Sequence, residues 1–421
     1  MDRSAFTNSV TPAQHEAIRA WWQAFAEAEG RLDDLFSGRN RDFDVVGFMF
    51  THLHAISPAL AWEFGPPLAG RNHRLVVTPE NRRDLRPLVQ ALLKAAPAAS
   101  RFEFHPYRPA QPIEQAEHSM RGRCGWENIA AIGYAITPGQ FNMFNLCFFL
   151  PFDGDENELT GKALILTETL LGEERLDKWV GTIDIKPKAS ASCDKGRPIA
   201  DLHADFEARI AAARAGLVPY REMVESEATR WSLFEFKPRI LSDYAARNDI
   251  FSSPAVDANL TRATIEGASF FYSERFSRDE TFLYLKMDGS ADDVDSEIFP
   301  DRGAIEDAIH DALKSAHLGT TIGGGTGRRY SYVDIAVTDL NAAIPLIQST
   351  LRAGRLTKRS WLLFQDSDLQ AEWIGIYEDS PGPPAPPPDE IESSASRSDT
   401  PLPDRRPAQS AENEPEPPTR H

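Results

Sequence analysis

The chain has 421 residues, 41% of them hydrophobic and 10% aromatic, so it can bury a core and a wholly disordered protein is excluded. Its 45 lysines and arginines against 63 aspartates and glutamates give a net charge of −18. This charge excludes a general electrostatic nucleic-acid footprint, and anionic lipid headgroups would repel it. Three cysteines are too few for a disulfide framework, and no apolar stretch approaches the roughly 20 residues that span a bilayer. We therefore expect a cytoplasmic protein with no nucleic-acid or membrane partner.

Residues 1–58 predict a helical N-terminal arm. The pattern Thr-Pro-Ala-Gln at residues 11–14 is that of a capping box with proline at the first helical position. Apolar residues then recur at three- and four-residue spacing over residues 18–35, which indicates one amphipathic helix. A second helix is predicted over residues 42–56.

Residues 59–188 predict a first α/β unit. Two paired strands and a helix come first, and the order β-α-β-β-α-β follows, which is typical of the ferredoxin-like fold. The elements of this order are a strand at 101–107, a helix at 112–120, strands at 129–136 and 141–150, a helix at 159–171 and a strand at 179–185.

The same order recurs over residues 279–379, so we expect an α+β protein with two ferredoxin-like units. Its elements are a strand at 282–287, a helix at 305–316, strands at 320–323 and 330–338, a helix at 340–351 and a strand at 360–364. Residues 189–278 between the units predict a connector with helices. Residues 380–421 are acidic, rich in proline and nearly free of apolar side chains, which predicts a disordered tail.

A glycine-rich segment lies between two predicted strands of the second unit. It consists of Gly323, Gly324, Gly325, Thr326 and Gly327. The segment lacks the lysine of a P-loop, and a strand rather than a helix follows it, so we predict a wide hairpin turn. The alternative is an anion- or partner-contacting loop, in which Arg328 and Arg329 supply the charge.

Polar and aromatic side chains alternate along the strand that follows this segment. Tyr330, Tyr332 and Asp334 share one face, because successive strand residues point to opposite sides. If helices cover only the other face, this face is open to a partner; the alternative is that the connector covers it. Tyrosine, tryptophan and arginine dominate binding hot spots. The predicted partner-binding residues are therefore Arg328, Arg329, Tyr330, Tyr332, Asp334 and Trp373.

Few patterns in the chain indicate chemistry. Asp366 and Asp368 follow an apolar strand, a placement that can hold a divalent cation but is also typical of a polar turn. No CxxC motif and no cysteine–histidine pair has zinc-ligand spacing, and no serine-hydrolase elbow is present. We therefore predict no catalytic residue, metal or cofactor.

These observations favour a non-enzymatic protein-binding or regulatory protein. An acidic surface steers association toward a basic partner, and an inhibitor of a basic, nuclease-type toxin would fit this charge. One alternative is a small-molecule sensor that frames its ligand between paired ferredoxin-like sheets. Another is a metal-dependent enzyme that uses the Asp366 and Asp368 pair. No motif carries a family resemblance.

Overall fold

The computed structural model describes residues 10–68, 70, 72–98, 100–188, 196–265, 270–289 and 298–385. This part of the chain forms helices and three separate β-sheets, so the predicted mixed α+β class is confirmed. The predicted disordered tail lies outside the described residues from residue 386 onward. In the described part of the chain, no helix is both long and apolar enough to cross a membrane.

The first sheet shares one hydrophobic core with the N-terminal helices. Its elements are α1 (Pro12–Phe36), α2 (Val45–His52), β1 (Ala61–Gly65), β2 (His73–Thr78), α3 (Arg86–Lys94) and β3 (Phe102–His105), with strand order β1-β2-β3. Helix α1 begins at the predicted capping box, where the Thr11 hydroxyl accepts a hydrogen bond from the Gln14 N–H at 3.2 Å. Helix α2 is shorter than predicted, because the Asp44 side chain caps it by accepting from the Gly47 N–H.

The second sheet has the strand order β6-β5-β4-β7. Its elements are α4 (Ile113–Cys124), β4 (Gly133–Pro138), β5 (Phe144–Phe149), α5 (Glu156–Leu171), α6 (Glu173–Trp179), β6 (Val180–Lys186), β7 (Arg197–Pro198) and α7 (Leu202–Ala215). The first β-α-β-β-α-β unit is not formed as predicted, because β3 pairs in parallel with β2 in the first sheet. The aromatic side chains of β3 explain this placement: Phe102 and Phe104 pack edge-on against Phe25 of α1.

The third sheet has seven strands in the order β14-β13-β10-β12-β11-β9-β8, and every neighbouring pair is antiparallel. Its elements are α8 (Tyr220–Glu225), β8 (Ser232–Glu235), β9 (Ile250–Ala255), α9 (Ala258–Ile265), β10 (Thr281–Asp288), α10 (Arg302–Ser315), β11 (Gly319–Gly327), β12 (Tyr330–Val337), α11 (Leu340–Ala353), β13 (Ser360–Phe364) and β14 (Trp373–Gly375). Strands β10 to β13 and their two helices correspond to the elements predicted for residues 279–379. The predicted connector supplies β8 and β9, which widen the sheet on one side.

Helices α10 and α11 pack on one face of the third sheet and form its main core. Ile309 and Leu313 of α10 and Ile347 of α11 are fully buried against apolar residues of β10 and β12. Asp301 and Asp339 cap the two helices by accepting hydrogen bonds from backbone N–H groups in the first turn. One face of the sheet is thereby occupied, and the opposite face is the one predicted to be open.

Candidate functional site

The predicted open face of the third sheet is covered. Tyr330, Tyr332 and Asp334 are only 1%, 0% and 7% exposed. Residues 236–249, called here the covering segment, lie across this face and belong to the predicted connector. The prediction of an open face is therefore wrong, and the alternative of a covering connector is what the structure has.

Hydrogen bonds and an ion pair hold the covering segment in place. Both guanidinium Nη atoms of Arg247 donate to the Asp334 carboxylate, at 2.8 and 3.0 Å. The Tyr330 hydroxyl donates to Asp243 at 2.6 Å, and the Tyr332 hydroxyl donates to Asp249 at the end of the segment. Burial, and then the Asp249 carboxylate, raise the pKa of Tyr332 well above its usual value. These polar groups are engaged within the chain.

A buried lysine of β10 adds a positive charge beneath the covering segment. The Lys286 ammonium group donates to the backbone carbonyls of Tyr244 and Ala246, and it lies 4.0 Å from the ring centroid of Tyr330. Burial lowers the pKa of Lys286 to about 8, although Asp249 and Asp243 oppose this shift. Sequence reasoning missed this residue, because a single lysine within an apolar strand does not show which carbonyl groups it will meet.

The glycine-rich segment is a strand and not the predicted turn. Residues 319–327 form β11, and Gly323, Gly324 and Gly325 are buried between β9 and β12. A Cβ atom on Gly324 would lie 2.3 Å from the Tyr332 carbonyl oxygen of β12, and one on Gly323 would lie 2.5 Å from the Pro254 carbonyl oxygen of β9. Glycine is therefore required for the close approach of three strands. Gly323, Gly324 and Gly325 thus lie inside the sheet, and anion contact by residues 323–327 stays a prediction.

The two arginines after this segment form the actual turn between β11 and β12. Arg328 is exposed, and Arg329 donates to the Asp288 carboxylate at 2.8 Å. Arg359, the residue before β13, donates to the same carboxylate at 2.7 Å. Trp373 of the edge strand β14 is half-buried and packs against the aromatic cluster under the covering segment. Partner binding by these residues stays a prediction.

The two aspartates after β13 join separate parts of the chain. Asp366 is buried and accepts hydrogen bonds from the N–H and the hydroxyl of Ser273, both at 2.7 Å. Asp368 accepts from the hydroxyls of Tyr272 at 3.2 Å and Tyr107 at 3.3 Å. Among the described residues, no group of three or more histidine, cysteine, aspartate or glutamate side chains is arranged to hold a metal ion.

Strand β8 forms one edge of the third sheet, and β9 is the only described strand that pairs with it. The Phe236 N–H donates to the Phe251 carbonyl at 2.9 Å, which makes this a hydrogen-bonded pair. Since such pairs alternate along an antiparallel ladder, the pairs of Leu233 and Glu235 with β9 are non-hydrogen-bonded. The N–H and C=O groups of these two residues are therefore directed away from β9, toward the edge.

The surroundings of this edge are unusually apolar. The described chain exposes twelve large hydrophobic side chains, and four of them lie within residues 231–251. Trp231 is 48% exposed, Leu233 65%, and Ile240 80%, and Phe251 of β9 is the fourth. Apolar side chains beside unpaired backbone groups are the features that native edge strands usually avoid, which marks this edge as a candidate binding surface.

The charge near β8 is opposite in sign to that of the whole chain. Four cationic side chains are exposed close to the strand, against the two carboxylates Glu227 and Glu235. The four cations are Arg230, Lys237, Arg239 and Arg262. The Arg262 guanidinium carbon lies 6.0 Å from the ring centroid of Phe234 in β8.

Comparisons with protein-family models, with curated proteins and with solved structures find no match to this chain.

Proposed function

We propose that the protein binds a partner protein by accepting an extended segment of that partner as an additional strand beside β8. The observation that carries this proposal is the edge of the seven-stranded sheet, where exposed apolar side chains flank outward-directed backbone groups. In strand addition, backbone hydrogen bonds supply affinity and alternate side chains supply specificity. Leu233 and Glu235 would supply the hydrogen bonds, and Trp231 and Leu233 the apolar contacts.

The local charge supports a segment that carries acidic residues. Four exposed cations near β8 outnumber two carboxylates, and charge complementarity steers association and sets register. This proposal differs from the basic partner that the charge of the whole chain led us to expect. The net charge of −18 is spread over the whole molecule and acts at long range, whereas the side chains beside β8 act at contact distance.

We also propose that β10–β13 with α10 and α11 form a ferredoxin-like unit. The strand order β13-β10-β12-β11, all antiparallel, with both helices packed in one core, is the arrangement of a split βαβ motif. The connector strands β8 and β9 then extend this unit beyond four strands. The binding edge is thus an addition to the unit rather than part of it.

The two alternative functions have less support. A sensor that frames its ligand between two ferredoxin-like sheets needs two open faces, but the face of the third sheet is covered and β3 belongs to another sheet. An enzyme that uses Asp366 and Asp368 needs carboxylates available to a cation, and both accept hydrogen bonds within the chain.

The test is a selection of random peptides displayed on phage, of about ten residues, the upper range of strand length. The target is the full chain, and the enriched peptides are then measured on Leu233→Pro and on the control Leu233→Ile. Proline removes an outward N–H that β9 does not use, so the sheet should remain intact, whereas isoleucine keeps the N–H. We expect the enriched peptides to carry acidic residues that alternate with apolar ones. Their binding should be lost in Leu233→Pro and kept in Leu233→Ile. Proline-rich or basic peptides, or equal binding to both variants, would overturn the proposal.

A further inference from the structure

A surface cavity of about 490 Å³ lies apart from the third sheet. Its walls are the end of β3 and the chain after it, the junction of α5 and α6, and the first two turns of α7. This volume is within the range of roughly 300–1,000 Å³ that small-molecule sites occupy. The lining residues are His105, Pro106, Tyr107, Arg108, Pro109, Ala110, Leu171, Gly172, Glu174, Arg175, His203 and Glu207.

Two histidines line the cavity, and the chain orients each of them through one ring nitrogen. The Nδ1 of His203 lies 3.2 Å from the Leu170 carbonyl oxygen, and this acceptor requires a proton on Nδ1. The Nε2 of His105 lies 3.4 Å from a carboxylate oxygen of Glu103. In both rings the second nitrogen can then accept a hydrogen bond from a ligand.

The charged side chains of the cavity are equal in number and fixed by ion pairs. Arg175 binds Glu207 across α6 and α7, at 2.6 Å from Nε to Oε1. The Glu174 carboxylate lies 2.7 Å from the Lys178 ammonium group. Burial raises the pKa of Glu174, but Lys178 and then Arg175 lower it further, so this pKa lies below its usual value. Arg108, the second lining cation, contacts the Glu168 carboxylate at 2.9 Å. With two lining cations and two lining carboxylates, the walls favour neither a net anion nor a net cation.

A buried network behind the cavity makes these walls rigid. Arg86 is 1% exposed and binds Glu173 at 2.8 Å and Asp177 at 3.2 Å, which joins α3 to α6. Its guanidinium carbon also lies 3.9 Å from the ring centroid of Tyr107, a lining residue. The Tyr107 hydroxyl is in turn directed to Asp368. A polar site whose side chains are held by such contacts loses little freedom when a ligand binds.

We propose that this cavity binds a small zwitterion of the amino-acid class, with its carboxylate toward Arg175 and its ammonium group toward Glu174 and Glu207. A zwitterion supplies one charge of each sign, so it can add to the Arg175–Glu207 pair, with its carboxylate beside the guanidinium and its ammonium group beside the carboxylate, without leaving a net charge. His105 and His203 accept hydrogen bonds from its polar side chain, and the prolines and Leu171 contact its alkyl part. This inference does not rest on the proposed strand addition.

The test is thermal unfolding of the full chain, followed by tryptophan fluorescence, with each of the common free L-amino acids in turn. We expect a neutral amino acid such as glutamine to raise the Tm by about 1–3 °C at saturating concentration. Glutamate and lysine, which carry a net charge, should raise it less. The shift should disappear in Arg175→Gln and in His203→Ala, whose side chain is exposed. It should persist in the control Arg19→Gln, an exposed arginine of α1.

Three results would overturn the proposal. One is that no amino acid raises the Tm beyond the effect of sodium chloride at equal concentration. Another is that glutamate, lysine or inorganic phosphate stabilises the chain more than every neutral amino acid does, which would assign a charged ligand. The last is a shift of equal size in His203→Ala and in the unmodified chain, which would place the bound amino acid elsewhere.

Discussion

Replacing Asp334 by alanine tests whether the covering segment is held on the third sheet by the Arg247–Asp334 pair. The two side chains are each about 10% exposed, and they share two hydrogen bonds of 2.8 and 3.0 Å. The Arg247 guanidinium also lies 5.2 Å and 5.5 Å from the ring centroids of Tyr284 and Tyr332. In Asp334→Ala this guanidinium stays buried among aromatic rings without its carboxylate.

Loss of one partner from a buried ion pair costs about 3–5 kcal/mol, mostly because the other charge is left uncompensated. Since the pair retains slight exposure, we expect Asp334→Ala to lower the free energy of unfolding by about 3 kcal/mol. The double variant Arg247→Met with Asp334→Leu removes both charges, and should lie within about 1 kcal/mol of the unmodified chain.

Urea unfolding followed by tryptophan fluorescence measures these differences. The control is Asp379→Ala, which breaks an exposed pair with Lys358 and should leave stability unchanged within error. If Asp334→Ala lowers the free energy of unfolding by less than about 1 kcal/mol, the reasoning is refuted, because leaving a buried charge unpaired costs more than this. A double variant as unstable as the single one would show that packing, rather than charge, holds the segment.

Four further variants test other features of the structure by urea unfolding. The pKa of Lys286, lowered to about 8, lies below that of an unfolded lysine, so the unfolded chain binds more protons between about pH 8 and 10. Stability should therefore rise by about 1 kcal/mol per pH unit in that window, and Lys286→Met should abolish the rise. Gly324→Ala should cost about 1–3 kcal/mol through overpacking, whereas Gly161→Ala, in open space on α5, should stabilise by about 0.5–1 kcal/mol. Asp366→Ala should cost about 1–3 kcal/mol, because the buried Ser273 donors lose their acceptor, and an unchanged stability would contradict their hydrogen bonds.

Local patterns in the sequence predicted individual elements well. The Thr11 capping box begins α1 as expected, and the apolar stripes of α10 and α11 form the core of the third sheet. These features depend on neighbours within a few residues, which periodicity and capping describe directly. The partner of a strand is not such a feature, and β3 was placed with the wrong sheet because nothing in its own residues specifies β2 as its neighbour.

The candidate site depended on contacts between distant residues and was predicted less well. Glycines at 323–325 are typical of a turn, but here they allow β9 and β12 to lie close to β11 on either side. Only the strands that neighbour β11 reveal this role. The position of the covering segment could not be predicted from apolar periodicity, because polar contacts of Arg247 and Lys286 hold it on the sheet. The aromatic stretch at 231–236 was visible in the sequence, but its position at an open edge follows from the strand order alone.

The central claim is that the edge of β8 binds its partner through backbone hydrogen bonds. The most direct measurement compares the tightest selected peptide with the same peptide N-methylated at alternate backbone amides, on the full chain. Methylation on the side that faces β8 removes two or more hydrogen bonds, so the affinity should fall at least about tenfold. Methylation of the opposite side should leave the affinity nearly unchanged. Equal affinities for both methylated peptides would contradict strand addition at β8.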